Sequence, residues 1–512
     1  MDLTDRIEIM KLTKEALKDK TVWQSRGYAL PEFDVEAVTQ KTLEDPIWLH
    51  FGAGNIFRCF PAVAQQKLLN AGLSDRGIIV CETFDEEIID KAYTPFDNMN
   101  ITVMAKADGS MEKTVVASIV HSLKGGNTAE LERIFTNPSL QMVSFTITEK
   151  GYTPNGAAIK IAAEMLYKRW KVNAAPLALV SMDNLAKNGD KLREAVTACV
   201  KPLVDEGAMD VDFLAYIGRV VSFPLGMIDK ITPRPSEKVR DLLQADGIEA
   251  EIVCTKFNTY TSVFVNAESK EYLVIEDRFP NGRPPLEKAG VIFTDAETVD
   301  KVEKMKVGTC LNPLHTVIAV FGCLLGYETV WEAMTHKGLR CLVERIGYDE
   351  GLPVVVNPGI INPKQFIDDV LNERFPNSFI PDAPARIASD TSLKIPVRFG
   401  ETLKTYAEKG NVSELEYIPV FIAGWLRYLL GINDKGEKFT PSPDPRLDEL
   451  MGKLTGIKLG DKEGFAEKIK PILADESLFG IDLTKYGLAE KVTAHFGKMV
   501  SGVGMVDKVI SE

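Results

Sequence analysis

The feature that most constrains this chain is a strand candidate, PIWLHFGAG from Pro46 to Gly54, whose end opens the loop Gly52-Ala53-Gly54-Asn55-Ile56-Phe57-Arg58. An apolar strand that breaks into a Gly-x-Gly loop and leads into a helical pattern is the opening unit of a doubly wound α/β domain. Glycines at 52 and 54 let the backbone turn sharply and approach a pyrophosphate. A third glycine is expected at 57, where Phe57 stands. Phe60, Val63, Leu68 and Leu69 mark the helix that follows. Pro61 limits how early that helix begins, so an irregular loop is expected through Arg58. Further strand-like runs start at Gly77 (GIIVCET), Ile101 (ITVMAKA), Thr114 (TVVASIVHSL), Met142 (MVSFTIT) and Leu177 (LALVSMD). Apolar strands alternating with helical stretches predict a parallel sheet covered on both faces. The second strand ends at Glu82, about 30 residues beyond the loop against the ~20 usual for this arrangement. A carboxylate there accepts hydrogen bonds from adenosine ribose hydroxyls and repels a 2′-phosphate, which favours NAD over NADP. Asp85 competes for that role.

The texture changes near Gly290. TDAETVDKVEKMKVG reads as a capped helix, with Thr294 or Asp295 as N-cap and acids in the first turn. Long helical patterns dominate beyond it, from Leu314 to Met334 and through SELEYIPVFIAGWLRYLLGIN. Residues 1–293 are therefore read as a dinucleotide-binding domain whose first 45 residues form a polar helical extension. Residues 294–512 are read as a mainly helical domain carrying substrate and catalytic groups. A second polar cluster opens that domain, Glu303-Lys304-Met305-Lys306 through Asn312-Pro313-Leu314-His315. Asn312 and Pro313 read as an N-cap and N1 pair, which starts a helix and puts His315 in its first turn. A lysine beside a helix N-terminus has its pKa drawn down and can act as a general base. An amide donor stabilises a developing alkoxide, and a neutral histidine holds a hydroxyl. The bland alternative is a helix cap with an exposed lysine and a satisfied histidine.

Composition closes off other classes. The 512 residues carry 60 Lys+Arg against 73 Asp+Glu, a net charge of −13, which argues against a nucleic-acid partner. The longest clean apolar run, Thr316 to Gly326, is about half of a membrane span, so no membrane partner is expected. The N-terminus alternates charges without an apolar core, so a cytoplasmic protein is expected. Seven cysteines without a Cys-x-x-Cys pair predict reduced, mostly buried thiols. Five histidines without a metal-type spacing predict no metal site.

With both clusters in view, the chain resembles the mannitol dehydrogenase family, the polyol-specific long-chain dehydrogenases/reductases, from about Pro46 to about Leu430. HFGAGNIFR is similar to the family's nucleotide loop, which also lacks the third glycine. TITEKGY (Thr146 to Tyr152), SMDNLAKNG (Ser181 to Gly189) and VIEDRFPNGRPPLEKAGV (Val274 to Val291) are similar to further segments in the family's order. SFPLGMIDKITP (Ser222 to Pro233) looks like its signature, with Ile228-Asp229-Lys230 where Val-Asp-Arg is usual. The resemblance implies a Rossmann-like domain followed by a helical domain, NAD as cofactor and metal-independent catalysis at a secondary alcohol. It implies Lys306 as general acid/base, Asn184 and Asn312 as the oxyanion-stabilising pair, and His315 as the hydroxyl-binding group. Glu303 would move protons towards solvent. Asp229 would be a carboxylate either on the substrate side or behind the residues that touch substrate, and Arg386 and Lys394 would contact the far end of the substrate.

The family's lysine-to-asparagine spacing is five residues, whereas Lys306 and Asn312 are six apart. A loop over Val307–Leu311 would absorb the extra residue. A continuous helix would turn Lys306 elsewhere and leave Lys304 as the fallback. Family activities include oxidation of mannitol and other polyols and reduction of fructuronate and tagaturonate. The wording of HFGAGNIFR and of the NPLH site leans to interconversion of a keto-sugar acid and its aldonate, D-fructuronate and D-mannonate. Polyol oxidation (D-mannitol to D-fructose) and tagaturonate reduction are the alternatives. A catalytically silent sensor of sugar or nucleotide is a further one. The partner is a small sugar acid or polyol, and the chain is expected as a monomer or small homo-oligomer.

Overall fold

The structure, a computed structural model, describes residues 9–106 and 108–512. The chain divides into two compact units, Met1–Asp300 and Lys301–Glu512, and the division falls inside the helix Ala296–Met305.

The first unit is built on a six-stranded parallel sheet. Its strands are β1 (Trp48–Phe51), β2 (Ile78–Glu82), β3 (Ile119–Lys124), β4 (Met142–Phe145), β5 (Leu177–Ser181) and β6 (Val221–Ser222). Their spatial order is β3-β2-β1-β4-β5-β6, with every pairing parallel. The order reverses between β1 and β4, the switch point where doubly wound sheets bind ligands. Side chains alternate between two cores because strand periodicity is two. Leu49, Phe51, Ile79, Cys81, Val143 and Phe145 pack on one face with the helices Thr128–Thr136, Ala157–Val172 and Asn188–Asp205. Trp48, Ile78, Val80, Met142 and Val180 pack on the other, with Ala62, Leu68 and Ile228. Burial on both faces explains why these strands read as unbroken apolar runs.

Three sequence expectations give way to the fold. ITVMAKA becomes the strand Asn100–Ala105, but it lies in a separate four-stranded sheet with Met111–Val116, Phe264–Glu268 and Tyr28–Ala29. TVVASIVHSL is split between two sheets, because the chain turns at Ala117 and Ser118. The loop after Gly54 is not irregular through Arg58: Asn55–Cys59 is a helical turn that breaks only at Phe60 (φ −126, ψ −73), ahead of Pro61 at the start of the next helix. Proline's ring tolerates a fresh start better than continuation, so it moved the break rather than preventing the turn. Within the N-terminal extension, Lys20–Ser25 and Val35–Glu44 are helical. Residues 1–8 lie outside the described residues.

The second unit is helical. Its centre is Asn312–Leu325, ten of whose residues are buried. Gly424, in the helix Tyr417–Tyr428, brings that helix close: a Cβ there would lie 2.3 Å from the Phe321 ring. The continuous helical run Ala296–Leu325 is long and apolar enough to cross a membrane, yet 72% of its most apolar stretch is buried inside the protein, as in a core helix. All seven cysteines are free thiols. Only Cys59, Cys81 and Cys310 are buried, while Cys254 and Cys341 are exposed, so the expectation of mostly buried thiols is overturned.

Candidate active site

The glycine loop is locked from behind. Gly52 sits at φ +105, and a Cβ there would stand 2.1 Å from the Thr146 carbonyl oxygen, so only glycine fits. Around Gly54 nothing lies within 4 Å of where a Cβ would be. A crowded first glycine and an open second one suit a loop that turns against its own sheet and offers its outer side to a pyrophosphate.

His50 anchors the turn. It is fully buried, stacks on Phe57 at 3.9 Å, and bridges Ser144 Oγ (Nδ1, 2.6 Å) and Thr146 Oγ1 (Nε2, 2.9 Å). Trp48 Nε1 donates to Ser144 Oγ at 2.7 Å, and Thr146 Oγ1 donates to the Gly52 carbonyl at 3.4 Å. Those fixed donors order the chain in one direction: Trp48 to Ser144, Ser144 to His50 Nδ1, His50 Nε2 to Thr146, Thr146 to Gly52. Burial pushes the imidazole pKa down to about 3, so His50 is neutral. The next residue but one along from Thr146, Thr148, holds φ +61 and ψ 163, backbone space nearly reserved for glycine. Local strain thus sits where β1 and β4 diverge.

Glu82 closes the other side. Its Oε2 accepts the Ala53 N–H at 2.7 Å, and its Oε1 accepts from Thr83 (2.9 Å), Phe84 (2.9 Å) and Asp85 (3.3 Å). The Glu82 carboxylate therefore fixes both the glycine loop and its own loop. Asp85 is engaged elsewhere, its Oδ2 accepting from Thr255 Oγ1 at 2.6 Å. Of the remaining loop residues, Asn55 donates to the Pro233 carbonyl at 3.3 Å, Ile56 is partly buried, and Phe57 and Arg58 face inward. Arg58 donates to the Ser262 carbonyl at 2.8 Å and lies over the Tyr93 ring, whose hydroxyl donates to the Ala53 carbonyl at 2.9 Å. These two side chains brace the loop from inside the core.

Asn184 follows β5 and is exposed. Its neighbours hold it. Asp183 Oδ2 accepts from the Ile147 N–H (2.8 Å) and the Tyr152 hydroxyl (2.7 Å), and burial raises the Asp183 pKa. Asn188 donates to the carbonyls of Ser181 and Asp183 (both 3.2 Å) and accepts from the Gly226 N–H at 2.8 Å. TITEKGY, SMDNLAKNG and the strand Gly226–Asp229 are thus one hydrogen-bonded assembly. Asp229 is buried at the end of that strand. Lys230, where arginine is usual, is buried and paired with Glu271 at 2.5 Å.

In the second unit the spacing puzzle has a specific answer. After Met305 the helix widens into a π turn, Lys306–Cys310, closed by the Leu311 N–H on the Lys306 carbonyl at 3.1 Å; the backbone bends at Leu311 (φ −127, ψ −62), and the next helix starts at Asn312 as expected. A π turn winds one extra residue into a helix. Neither expected case holds: there is no loop, and the helix is not regular. Nor does Asn312 cap a helix start, since no side-chain cap bond forms there. Among the described residues the Asn312 side-chain amide has no hydrogen-bond partner, while its carbonyl accepts from Thr316 Oγ1 (2.9 Å) and Arg398 (3.3 Å). Lys306 is 2% exposed and Lys304 is exposed, which sets the fallback lysine aside. Glu303, half-buried, lies one turn before Lys306.

Two more π turns lie nearby, one against this turn and one leading to His315. In Ile346–Gly351, a Cβ on Gly351 would stand 2.9 Å from Thr309 Cγ2. Val370–Arg374 leads into Phe375, which stacks on His315 at 5.3 Å. His315 Nε2 meets Asp382 Oδ2 at 3.0 Å. Burial lowers the His315 pKa, against the opposing pull of Asp382. A carboxylate only accepts, so Nε2 carries the hydrogen and Nδ1 keeps its lone pair. Asp382 also pairs with Arg386, whose side chain is 72% exposed. Lys394 does not stand beside Arg386 as a second free cation. Its ammonium donates to the carbonyls of Ile387 (2.9 Å) and Ser389 (2.5 Å). Asp382 and His50 escape sequence reasoning. His50 gave a faint signal as the one ionisable residue in an apolar strand; Asp382, 67 residues from His315, gave none.

A parallel sheet of this order with a Gly-x-Gly loop at its switch point places the chain in the dinucleotide-binding class, and comparison with known proteins names the family. Residues 46–288 match the mannitol dehydrogenase Rossmann domain and 298–500 the mannitol dehydrogenase C-terminal domain. The chain belongs to the mannitol dehydrogenase family and is an oxidoreductase acting on secondary alcohols. It is 46% identical to D-mannonate oxidoreductase of Thermotoga maritima over 98% of this chain and 99% of that one. It is 29% identical to a polyol:NADP oxidoreductase of Gluconobacter oxydans, over 86% and 90%. The structure is similar to Pseudomonas fluorescens mannitol 2-dehydrogenase in ternary complex with NAD and D-mannitol (TM-score 0.68, 25% identity, 98% and 99% covered).

Proposed function

We propose that the chain is an NAD-dependent, metal-independent reductase that interconverts D-fructuronate and D-mannonate. The observation that carries this reading is the 46% identity to a D-mannonate oxidoreductase over nearly the whole of both chains. Gly52, Gly54 and Glu82 fit a dinucleotide: a crowded glycine, an open one, and an acid at the strand end. When bound, the nicotinamide supplies hydride to a ketone carbon or takes it from a secondary alcohol.

The residues of the chain do the rest. Lys306 Nζ donates a proton to the oxygen of the carbon being reduced, and accepts it in the reverse direction. Asn312 Nδ2 donates to that oxygen as negative charge grows, a role shared with Asn184. His315 Nδ1 accepts the hydrogen of a neighbouring substrate hydroxyl, and Asp382 holds the ring in the tautomer that makes this possible. Glu303, one turn from Lys306, passes the proton to solvent. Arg386 binds the substrate carboxylate, and Lys394 acts by holding the loop that carries it. Asp229 serves as a substrate-side carboxylate. The protein works in the cytoplasm on a small sugar acid, as a monomer or small homo-oligomer, without nucleic-acid or membrane partners.

The test is NADH consumption with D-fructuronate, D-tagaturonate and D-fructose in parallel. Preference for fructuronate is the expected result. Preference for fructose would overturn the keto-acid assignment in favour of a polyol dehydrogenase.

A further inference from the structure

We propose that Phe84 and Phe257 form the adenine-binding platform of the dinucleotide site. This rests on the reading of the Gly52 to Glu82 region as a nicotinamide-dinucleotide site, and it deepens that reading.

Of the 24 phenylalanines in the chain, only these two are largely exposed among the described residues, at 72% and 58%. They touch each other, with ring centroids 5.0 Å apart and planes inclined by 40°. Two exposed rings in contact, drawn from positions far apart in sequence, form an apolar surface that water covers poorly.

Their placement is specific. Phe84 lies two residues beyond Glu82, and its own N–H is one of those that the Glu82 carboxylate holds. The same carboxylate occupies the position that binds ribose hydroxyls in this fold. A base attached to that ribose therefore falls beside Phe84. Phe257 arrives from the tip of the hairpin formed by the strands Val253–Cys254 and Tyr260–Thr261. Two bonds pin that tip to the loop after β2: Thr255 Oγ1 to Asp85 Oδ2 at 2.6 Å, and the Lys256 N–H to Glu87 Oε2 at 3.0 Å. Asn258, at φ +60, turns the tip back. Asp85, a buried carboxylate, thus holds the hairpin so that Phe257 stands against Phe84. A flat π-face matched to a purine, with ribose recognition next to it, is the chemistry the pair offers.

The experiment is isothermal titration of the full-length protein with AMP, with nicotinamide mononucleotide and with NADH. It compares wild type, Phe84→Ala, Phe257→Ala, the double variant and Phe84→Trp. Both side chains are exposed, so folding is expected to survive, and circular dichroism checks it. Loss of one ring is expected to weaken AMP and NADH about tenfold, with a larger loss in the double variant. Nicotinamide mononucleotide binding stays unchanged, and Phe84→Trp retains AMP affinity. AMP affinity in the double variant within twofold of wild type would overturn the proposal while leaving the dinucleotide site standing. A change in sedimentation without a change in AMP affinity would overturn it in favour of a self-association surface. Failure of the wild type to bind either AMP or NADH would overturn both the platform and the cofactor reading beneath it.

Discussion

The loop after β1 and the π turn at Lys306 are both glycine- or helix-based devices for presenting polar groups, yet they are built in opposite ways. Around Gly52 nearly every polar atom is spent. His50, Ser144, Thr146 and Trp48 satisfy one another, and Glu82 collects four backbone N–H groups. Around Lys306 and His315 the supporting groups stop one bond short, leaving the Asn312 amide and the His315 Nδ1 lone pair unspent. A site that holds a large, invariant ligand gains from a rigid backbone cradle. A site that moves protons needs side-chain atoms whose last hydrogen bond is made by the substrate.

That contrast can be broken, and the largest expected effect is at the chemistry. Lys306→Ala should lower kcat by about 10²–10⁴-fold with NADH affinity unchanged, as single-turnover and titration measurements would show. Loss of cofactor affinity instead would mean that the lysine supports the fold. Gly52→Ala should do the reverse. The methyl group collides with the Thr146 carbonyl at a φ of +105, so the variant should lose about 3 kcal/mol of stability or its NADH binding altogether, seen in urea melts and titration.

Asp382→Asn is a finer probe. A hydrogen bond to a charged group is worth about 1.5–3 kcal/mol, so kcat should fall about ten- to a hundredfold. Asp382 raises the His315 pKa, so removing its charge lowers that pKa further. The acid limb of the kcat profile, where His315 protonates and loses its acceptor, should therefore move to lower pH. An unmoved limb would separate Asp382 from His315.

In the cradle the effect is smallest near neutrality and grows with acid. His50 has a folded pKa of about 3 against an ordinary 6.5. Between those values the unfolded chain binds a proton that the folded one refuses. Stability is therefore full above pH 6.5 and falls as pH drops towards 3, by about 1.4 kcal/mol per unit from this one group. His50→Gln should flatten that slope in denaturant titrations, at the cost of a lower midpoint near neutrality.

Much of this is legible in the residues alone. Strand periodicity, the Gly-x-Gly turn and the acid ending the second strand are local features, and local features follow from residues a few positions apart. The strand at Asn100–Ala105 defeats sequence reading for the complementary reason. A β-branched apolar run specifies a strand but not which sheet it joins, because its partners are Met111–Val116 and the distant Phe264–Glu268. Asp382 and Phe257 are invisible for the same cause: each matters only through a residue 67 or 173 positions away.

By itself, the sequence determined the α/β class, the parallel sheet and the family, since these are written in periodicity, turn chemistry and motif spacing. Only the tertiary structure decided how the chain winds a step of six residues from Lys306 to Asn312. Whether a surplus residue becomes a loop, a break or a π turn depends on what packs against it, here Gly351 and its own π turn, and no local propensity encodes that choice.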